Sequence, residues 1–328
     1  GVSFAAMTKR LQAVFLDFAT LGPGVDTGPL DALADVAYYT STPLEQTAER
    51  LEGMDVAIVN KARVDADAIE KSDQLKLIVL AATGSDNVDV KTAAQRGVGV
   101  ANIRDYCTAA VVQHVFALVL CLTRKLAEYQ AAIYAGAWQS SETFALFDYP
   151  IQELTGKNLG IVGYGTLGRG VAELGRCIGM NILAGARPGT PASETPDGRM
   201  PVDDVLRNAD VLSLHCPLTD ATRGLIGETQ LERMKDDALI INTARGALID
   251  SRALVAALKA GKIGGAGIDV MEVEPPRGDE PLLEPGIPNL ILTPHIAWTA
   301  RESRQRALDQ VAENISDFLA GGALRRLV

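Results

Sequence analysis

Hydrophobic positions early in the chain fall in short runs: Ala13–Phe18, Val36–Tyr39, Val56–Val59, Leu75–Ala81 and Val98–Ala101. Between them, Pro29–Asp35, Leu44–Gly53, Ala66–Lys71 and Asp89–Gly97 read as helices. Short, nearly uninterrupted apolar strands alternating with helices predict a parallel sheet covered on both faces. The rhythm returns later, with strands at Leu159–Val162, Met180–Ala184, Asp210–Cys216, Ala238–Thr243, Gly265–Val270 and Leu290–Thr293. Helices are predicted at Thr166–Ile178, Glu228–Lys235 and Ser251–Lys259. Asp105–Trp138, rich in Ala, Val and Leu at helical spacing, bridges the halves, and Thr143–Glu153 reads as a loop or arm. A last helix, Thr299–Leu319, has no place in the second half and is expected to cross back onto the first. The fold class is therefore α/β: two Rossmann- or flavodoxin-like doubly wound parallel-sheet domains, with an active-site cleft expected between them.

The second half opens on a strand, a glycine turn and a helix. Gly163, Tyr164, Gly165, Thr166, Leu167 and Gly168 spell G-x-G-x-x-G between an apolar run and a helical segment. The first glycine permits a tight turn, the second lets a pyrophosphate approach the backbone, and the third lets helix and strand lie close. The motif alone is common, but in this context it predicts a dinucleotide site. The first half has no such turn. At the end of the second strand, Leu183-Ala-Gly-Ala-Arg187-Pro, no acid stands where an NAD site usually places one on the ribose 2′-hydroxyl. A carboxylate there would repel a 2′-phosphate, whereas Arg187 can pair with one. NADP(H) is the expected preference, with NAD(H) possible if Arg187 instead stacks on the adenine.

Composition narrows the partners. With 328 residues the chain is long enough for two cores, and 47% hydrophobic with 22% charged residues is ordinary for a globular protein. A net charge of −10 argues against nucleic acid or an anionic membrane surface as the main partner. No apolar run reaches the roughly 18 residues of a membrane span. Cys107, Cys121, Cys177 and Cys216 are widely spaced, without CxxC pairing, which reads as reduced, mostly buried thiols of a cytoplasmic protein, with no metal site. No secretory leader is expected. Met7-Thr-Lys-Arg resembles a natural start, so Gly1–Ala6 are expected to be a foreign remnant.

An anionic substrate would then need local basic groups. Arg245 follows Ile240–Ala244, Glu274 sits before Pro275-Pro276, and His295 lies in Thr293-Pro-His-Ile-Ala-Trp298. Singly, each has an ordinary reading as a turn cation, a loop charge or a satisfied histidine. Together they provide what hydride transfer to a 2-keto acid requires. A guanidinium holds carboxylate and carbonyl, and an imidazole gives or takes the proton. A carboxylate beside that imidazole raises its pKa and fixes its tautomer. His215 more naturally shapes a cofactor wall, and His114, in an apolar helix, reads as structural. The loop Ala82-Thr83-Gly84-Ser85-Asp86-Asn87 can aim backbone N–H groups at a carboxylate, or can be a helix-initiating turn capped by Asp86 or Asn87.

The combined set, Gly163–Gly168, Leu214-His-Cys-Pro-Leu-Thr219, Asn242-Thr-Ala-Arg-Gly246, Asp269-Val270 with Glu274-Pro-Pro276, and Thr293–Trp298, resembles the D-isomer-specific 2-hydroxyacid dehydrogenases over nearly the whole chain. His295–Trp298, Arg301–Arg306 and Tyr106–His114 look most like the glycerate dehydrogenase/hydroxypyruvate reductase branch. The resemblance implies a small 2-keto acid, hydroxypyruvate or glyoxylate, reduced by NAD(P)H. Arg245 would bind substrate, His295 would be the acid/base and Glu274 its charged partner. Thr83 and Gly84 would receive the carboxylate, with Trp298 lining the substrate. Asp269 would meet the nicotinamide carboxamide, Thr243 and Ala244 would flank the ring, and His215, Cys216, Pro217 and Thr222 would line the cofactor. Residues 1–103 with 297–328 would form the substrate domain and 104–296 the dinucleotide domain, 105–155 serving as the arm of a homodimer. Two readings compete within this fold. A phosphoglycerate dehydrogenase would want more basic residues than Lys61 and Arg63 near the substrate loop. A cofactor-sensing co-repressor scaffold would want long extra termini.

Overall fold

The computed structural model describes residues 10–328, so the expectation about Gly1–Ala6 lies outside the described residues. Contacts divide the chain into two compact units. One runs to Cys107 and resumes at Thr299–Val328, and the other is Thr108–Trp298.

The first unit holds β1 (Leu11–Phe15), α1 (Gly28–Asp31), β2 (Ala34–Tyr38), α2 (Leu44–Leu51), β3 (Val56–Val59), α3 (Ala66–Glu70), β4 (Leu77–Leu80), α4 (Val90–Gln95) and β5 (Gly99–Ala101). All pairs are parallel, in the order β2-β1-β3-β4-β5. Val14, Val59, Ile78 and Leu80 are wholly buried on this sheet, as expected of a sheet covered on both faces. The helix expected at Pro29–Asp35 stops at Asp31, because Ala34 and Asp35 already pair with Leu11 and Gln12. Where strand order reverses, between β1 and β3, buried Asp17 accepts the N–H groups of Asn60, Lys61 and Ala62 at 2.9, 2.5 and 2.7 Å. That fixes the loop after β3.

The second unit contains α5 (Thr108–Arg124), α6 (Leu126–Tyr134), β6 (Asn158–Val162), α7 (Thr166–Cys177), β7 (Asn181–Ala184), α8 (Val202–Asn208), β8 (Val211–Leu214), α9 (Glu228–Arg233), β9 (Leu239–Asn242), α10 (Ser251–Lys259), β10 (Gly265–Ile268) and β11 (Leu290–Leu292). Its parallel sheet runs β11-β10-β9-β8-β6-β7, reversing between β6 and β8. The sequence pattern missed α8, whose short turn places Val205 and Leu206 in the core. It also joined α5 and α6, which the structure bends by 55° at Lys125, a left-handed residue at φ 54° that ends the helical hydrogen-bond run. Several strands stop short of their expected ends, at Leu214, Asn242 and Ile268. The residues beyond leave the ladder and form the loops described next.

The last helix, α11 (Arg301–Leu319), belongs to the first unit, where it packs against α1 and β4. Among the described residues no single helix is long and apolar enough to cross a membrane, and no group of His, Cys, Asp or Glu is placed to hold a metal ion. The four cysteines are free thiols, but only Cys216 is buried: Cys107 and Cys121 are partly exposed and Cys177 is exposed, against the expectation of a mostly buried set.

Candidate active site

The glycine turn sits at the reversal of strand order, and each glycine answers to a different constraint. Gly163 has φ 97°, and a Cβ there would stand 2.3 Å from Cys216 N and 2.4 Å from His215 C. A Cβ on Gly168 would stand 2.3 Å from Gly163 O, so this glycine lets α7 lie against β6. Gly165, the residue capping α7, has φ −82° and would meet nothing within 4 Å. The fold itself therefore does not require glycine at position 165. A bare backbone facing open space at a helix N-terminus is what a pyrophosphate needs.

Other polar atoms around the turn fit a dinucleotide. Thr243 Oγ1 and His215 Nδ1, at the ends of β9 and β8, are buried without a hydrogen-bond partner among the described residues. His215 Nε2 pairs with Ser213 Oγ at 2.8 Å, and burial pushes the imidazole down to about 4. His215 is thus neutral near pH 7 and suits a wall better than an acid. Cys216, also buried, has its thiol pushed up to about 11. Thr222 does not offer its hydroxyl to the outside. That group donates to Pro217 O at 2.7 Å and accepts from Thr219 N, which shapes the Pro217 turn.

Arg187 is exposed just past β7, and no carboxylate pairs with it among the described residues. A second cation nearby escaped the sequence reading. Gly185 and Ala186 pair with Met200, and the preceding Arg199 lies over the Tyr164 ring at 4.2 Å. Arg199 Nη1 is buried with no hydrogen-bond partner among the described residues. Nothing in the sequence pattern signals this, because residues 188–201 have no periodicity that would place them.

The carboxyl ends of β9, β10 and β11 lie side by side in the sheet, and the residues just beyond them include Arg245, Asp269 and His295 respectively. Asn242, wholly buried, frames the Arg245 turn: its side chain accepts from Ala244 N at 3.0 Å and donates to Arg245 O at 2.9 Å. The Arg245 guanidinium donates to Ala244 O at 2.8 Å. Gly246 lets this turn press on the next loop, since a Cβ there would stand 2.0 Å from Met271 C. Three residues on, Glu274 accepts from Met271 N through Oε1 at 2.9 Å and meets His295 Nδ1 through Oε2 at 2.5 Å. Glu274 and His295 are thereby brought into direct contact. The Arg245 turn reaches them through the Gly246–Met271 packing.

Asp269 is 1% exposed, with its oxygens taken up by Thr293 Oγ1 at 2.5 Å, Ile296 N at 2.8 Å and Ala297 N at 3.0 Å. Here the carboxylate organises the His295 loop. Trp298 ends that loop, half-buried. Thr83 and Gly84 lie in the other unit, after β4, where Thr83 Oγ1 donates to Ile103 O and Asn102 Nδ2 holds Thr83 O at 2.7 Å. The ordinary reading of their loop needs one correction. Helix α4 is capped by Asp89, which accepts from Thr92 N at 2.8 Å, while Asn87 instead donates to Ala62 O.

Residues 116–297 match the family model for the D-isomer specific 2-hydroxyacid dehydrogenase NAD binding domain. The chain is 42% identical to a glycerate dehydrogenase of Methylorubrum extorquens, over 96% of this chain and 98% of that one. It is 38% identical to a hydroxypyruvate reductase of Blautia hydrogenotrophica, over 95% and 98%. Among solved structures, an acyclic imino acid reductase in complex with NADPH and D-Arg superposes with a TM-score of 0.84 at 27% identity, covering 97% of this chain and 100% of that one. The glycine turn, the strand-end loops and these likenesses agree that the chain belongs to the D-isomer specific 2-hydroxyacid dehydrogenases, NAD(P)-dependent oxidoreductases acting on CH–OH groups.

Proposed function

We propose that this enzyme interconverts a small 2-keto acid, hydroxypyruvate or glyoxylate, with its 2-hydroxy acid, using NADP(H) in preference to NAD(H). The contact between Glu274 and His295, at the strand ends beside the Arg245 turn, is the observation that carries the reading. A bound dinucleotide supplies the hydride. Arg245 orients the substrate by paired hydrogen bonds to carboxylate and carbonyl. The backbone N–H groups of Thr83 and Gly84 receive the carboxylate. His295 Nε2 delivers a proton to the carbonyl oxygen as it gains charge, while Nδ1–H stays on Glu274, which compensates the imidazolium and holds the ring. In the reverse direction the neutral ring takes that proton back.

Arg187, with Arg199 beside the same strand end, supports the 2′-phosphate preference. The relatives named glycerate dehydrogenase and hydroxypyruvate reductase support the substrate class. Exposed Tyr134, Trp138, Phe144 and Phe147, at 83, 52, 90 and 79% of their full surface, support a homodimer in which a second copy covers this arm.

The test is absorbance at 340 nm with hydroxypyruvate, glyoxylate and pyruvate, each with NADPH and NADH. Turnover fastest with hydroxypyruvate or glyoxylate and NADPH is expected. No turnover with any 2-keto acid would sink the reading, and a preference for NADH would sink its cofactor half alone.

A further inference from the structure

His114 stands on α5, the helix packed across β9 and β10. Gly267 of β10 lets that helix come close, since a Cβ there would lie 3.0 Å from Leu118 Cβ. One turn away, His114 Nε2 lies 3.0 Å from Thr293 Oγ1 and 3.5 Å from Asp269 Oδ1. A neutral or a charged imidazole could make such contacts, and the tautomer must be read from the surrounding donors.

The direction of the chain follows from Asp269. An ionised carboxylate only accepts, and Thr293 has one hydroxyl proton, which goes to Asp269 Oδ1 at 2.5 Å. Thr293 Oγ1 must then accept at its contact with His114, so Nε2 carries the proton. Donation runs from His114 to Thr293 to Asp269. The same carboxylate accepts from Ile296 N and Ala297 N, and the backbone carbonyl of Asp269 accepts from His295 N at 2.8 Å. Within this frame His295 adopts φ 55°, a left-handed conformation that a non-glycine residue holds only when its surroundings over-determine it.

We propose that His114 is a positioning residue for the proton-transferring loop. Its Nε2–H fixes the Thr293 hydroxyl, which fixes the Asp269 carboxylate, which holds the left-handed backbone that aims His295 at Glu274. His114 touches neither substrate nor cofactor in this role. The proposal rests on His295 being the proton donor, as set out above.

The experiment measures hydroxypyruvate reduction, cofactor affinity by fluorescence and thermal melting for His114→Leu, His114→Gln, Thr293→Val, the His114→Leu/Thr293→Val double variant and His295→Ala. His114→Leu is expected to lower kcat about tenfold to a hundredfold, the scale of a misplaced catalytic group, with KM and cofactor Kd within about twofold. Gln places an amide N–H near the Nε2 position and is expected to restore most of the loss. The double variant is expected to be no slower than the slower single one, because both changes cut one chain. A His114→Leu protein that melts lower but turns over normally would overturn the proposal, as would losses that multiply in the double variant. Should the leucine protein fail to fold, the near-isosteric Thr293→Val decides by the same kcat criterion. Full activity of His295→Ala would instead remove the proton-donor reading itself. An inactive His295→Ala beside normal His114 and Thr293 variants removes this inference alone.

Discussion

Glu274 Oε2 lies 2.5 Å from His295 Nδ1, while the other oxygen of Glu274 is held by the backbone N–H of Met271. The carboxylate is therefore anchored at one oxygen and presented at the other. Side chains that are 33% and 26% exposed leave both groups open to exchange with solvent. Such a pair engages Nδ1, so Nε2 is the ring nitrogen that the proposed proton transfer would use.

Replacing Glu274 by Gln keeps an oxygen that can accept from Nδ1 but removes the charge opposite the imidazolium. A kcat reduction of about a hundredfold is expected, within the range for disabling acid–base catalysis, with cofactor affinity retained. Glu274→Ala, which also loses the orienting contact, should be slower still. Steady-state kinetics beside a cofactor titration check this, and equal activity of the Gln variant and the parent would remove the charge argument.

The glycines of the turn should separate fold from binding. Gly163→Ala places a Cβ against Cys216 N at positive φ, and a loss of more than about 3 kcal/mol is expected, read by urea unfolding. Gly165→Ala meets open space, so its stability should stay within about 1 kcal/mol of the parent. Cofactor affinity in that variant should nonetheless fall at least about tenfold if the pyrophosphate approaches this backbone as proposed, because the methyl would stand in its way. A Gly165→Ala protein that binds cofactor normally would contradict the placement.

Cofactor choice should follow the arginines past β7. Losing a charge-assisted bond to phosphate costs about 1.5–3 kcal/mol, or roughly ten- to a hundredfold in kcat/KM. Arg187→Ala is expected to show that loss with NADPH and little change with NADH. Comparable losses with both cofactors would mean that Arg187 stacks on the adenine instead.

Acid should weaken the fold partly through His215. Its pKa is depressed from 6.5 to about 4 by burial, so the unfolded chain takes up the proton first. Its contribution is fully present above about pH 6.5 and is lost as pH falls toward 4, at most about 3 kcal/mol. Urea midpoints at pH 7.5, 6 and 5 should therefore fall more steeply for the parent than for His215→Gln. Equal slopes would show that His215 does not contribute.

The alternating apolar runs were enough to place both sheets, because a doubly covered strand needs a nearly continuous apolar run. The glycine turn and the strand-end positions of Arg245 and His295 were equally visible. Local patterning failed where local signals are weak or misleading. The short α8 has too few turns to show a period, and α5 and α6 share one apolar composition across a bend that a single left-handed Lys125 imposes.

The linear order of residues determined the alternation of strands and helices, the bare backbone at Gly165 and the presence of an arginine, a carboxylate and a histidine with suitable chemistry. Only the tertiary structure decided which partner each polar group takes. It placed Asp269 under the His295 loop, set Asn242 around the Arg245 turn, brought His114 to Thr293 and laid Arg199 on Tyr164. The physical reason is range. Apolar burial is non-directional and repeats along the chain with the period of its element. A hydrogen bond is satisfied by whichever donor folding brings within about 3 Å, however far off in sequence it began.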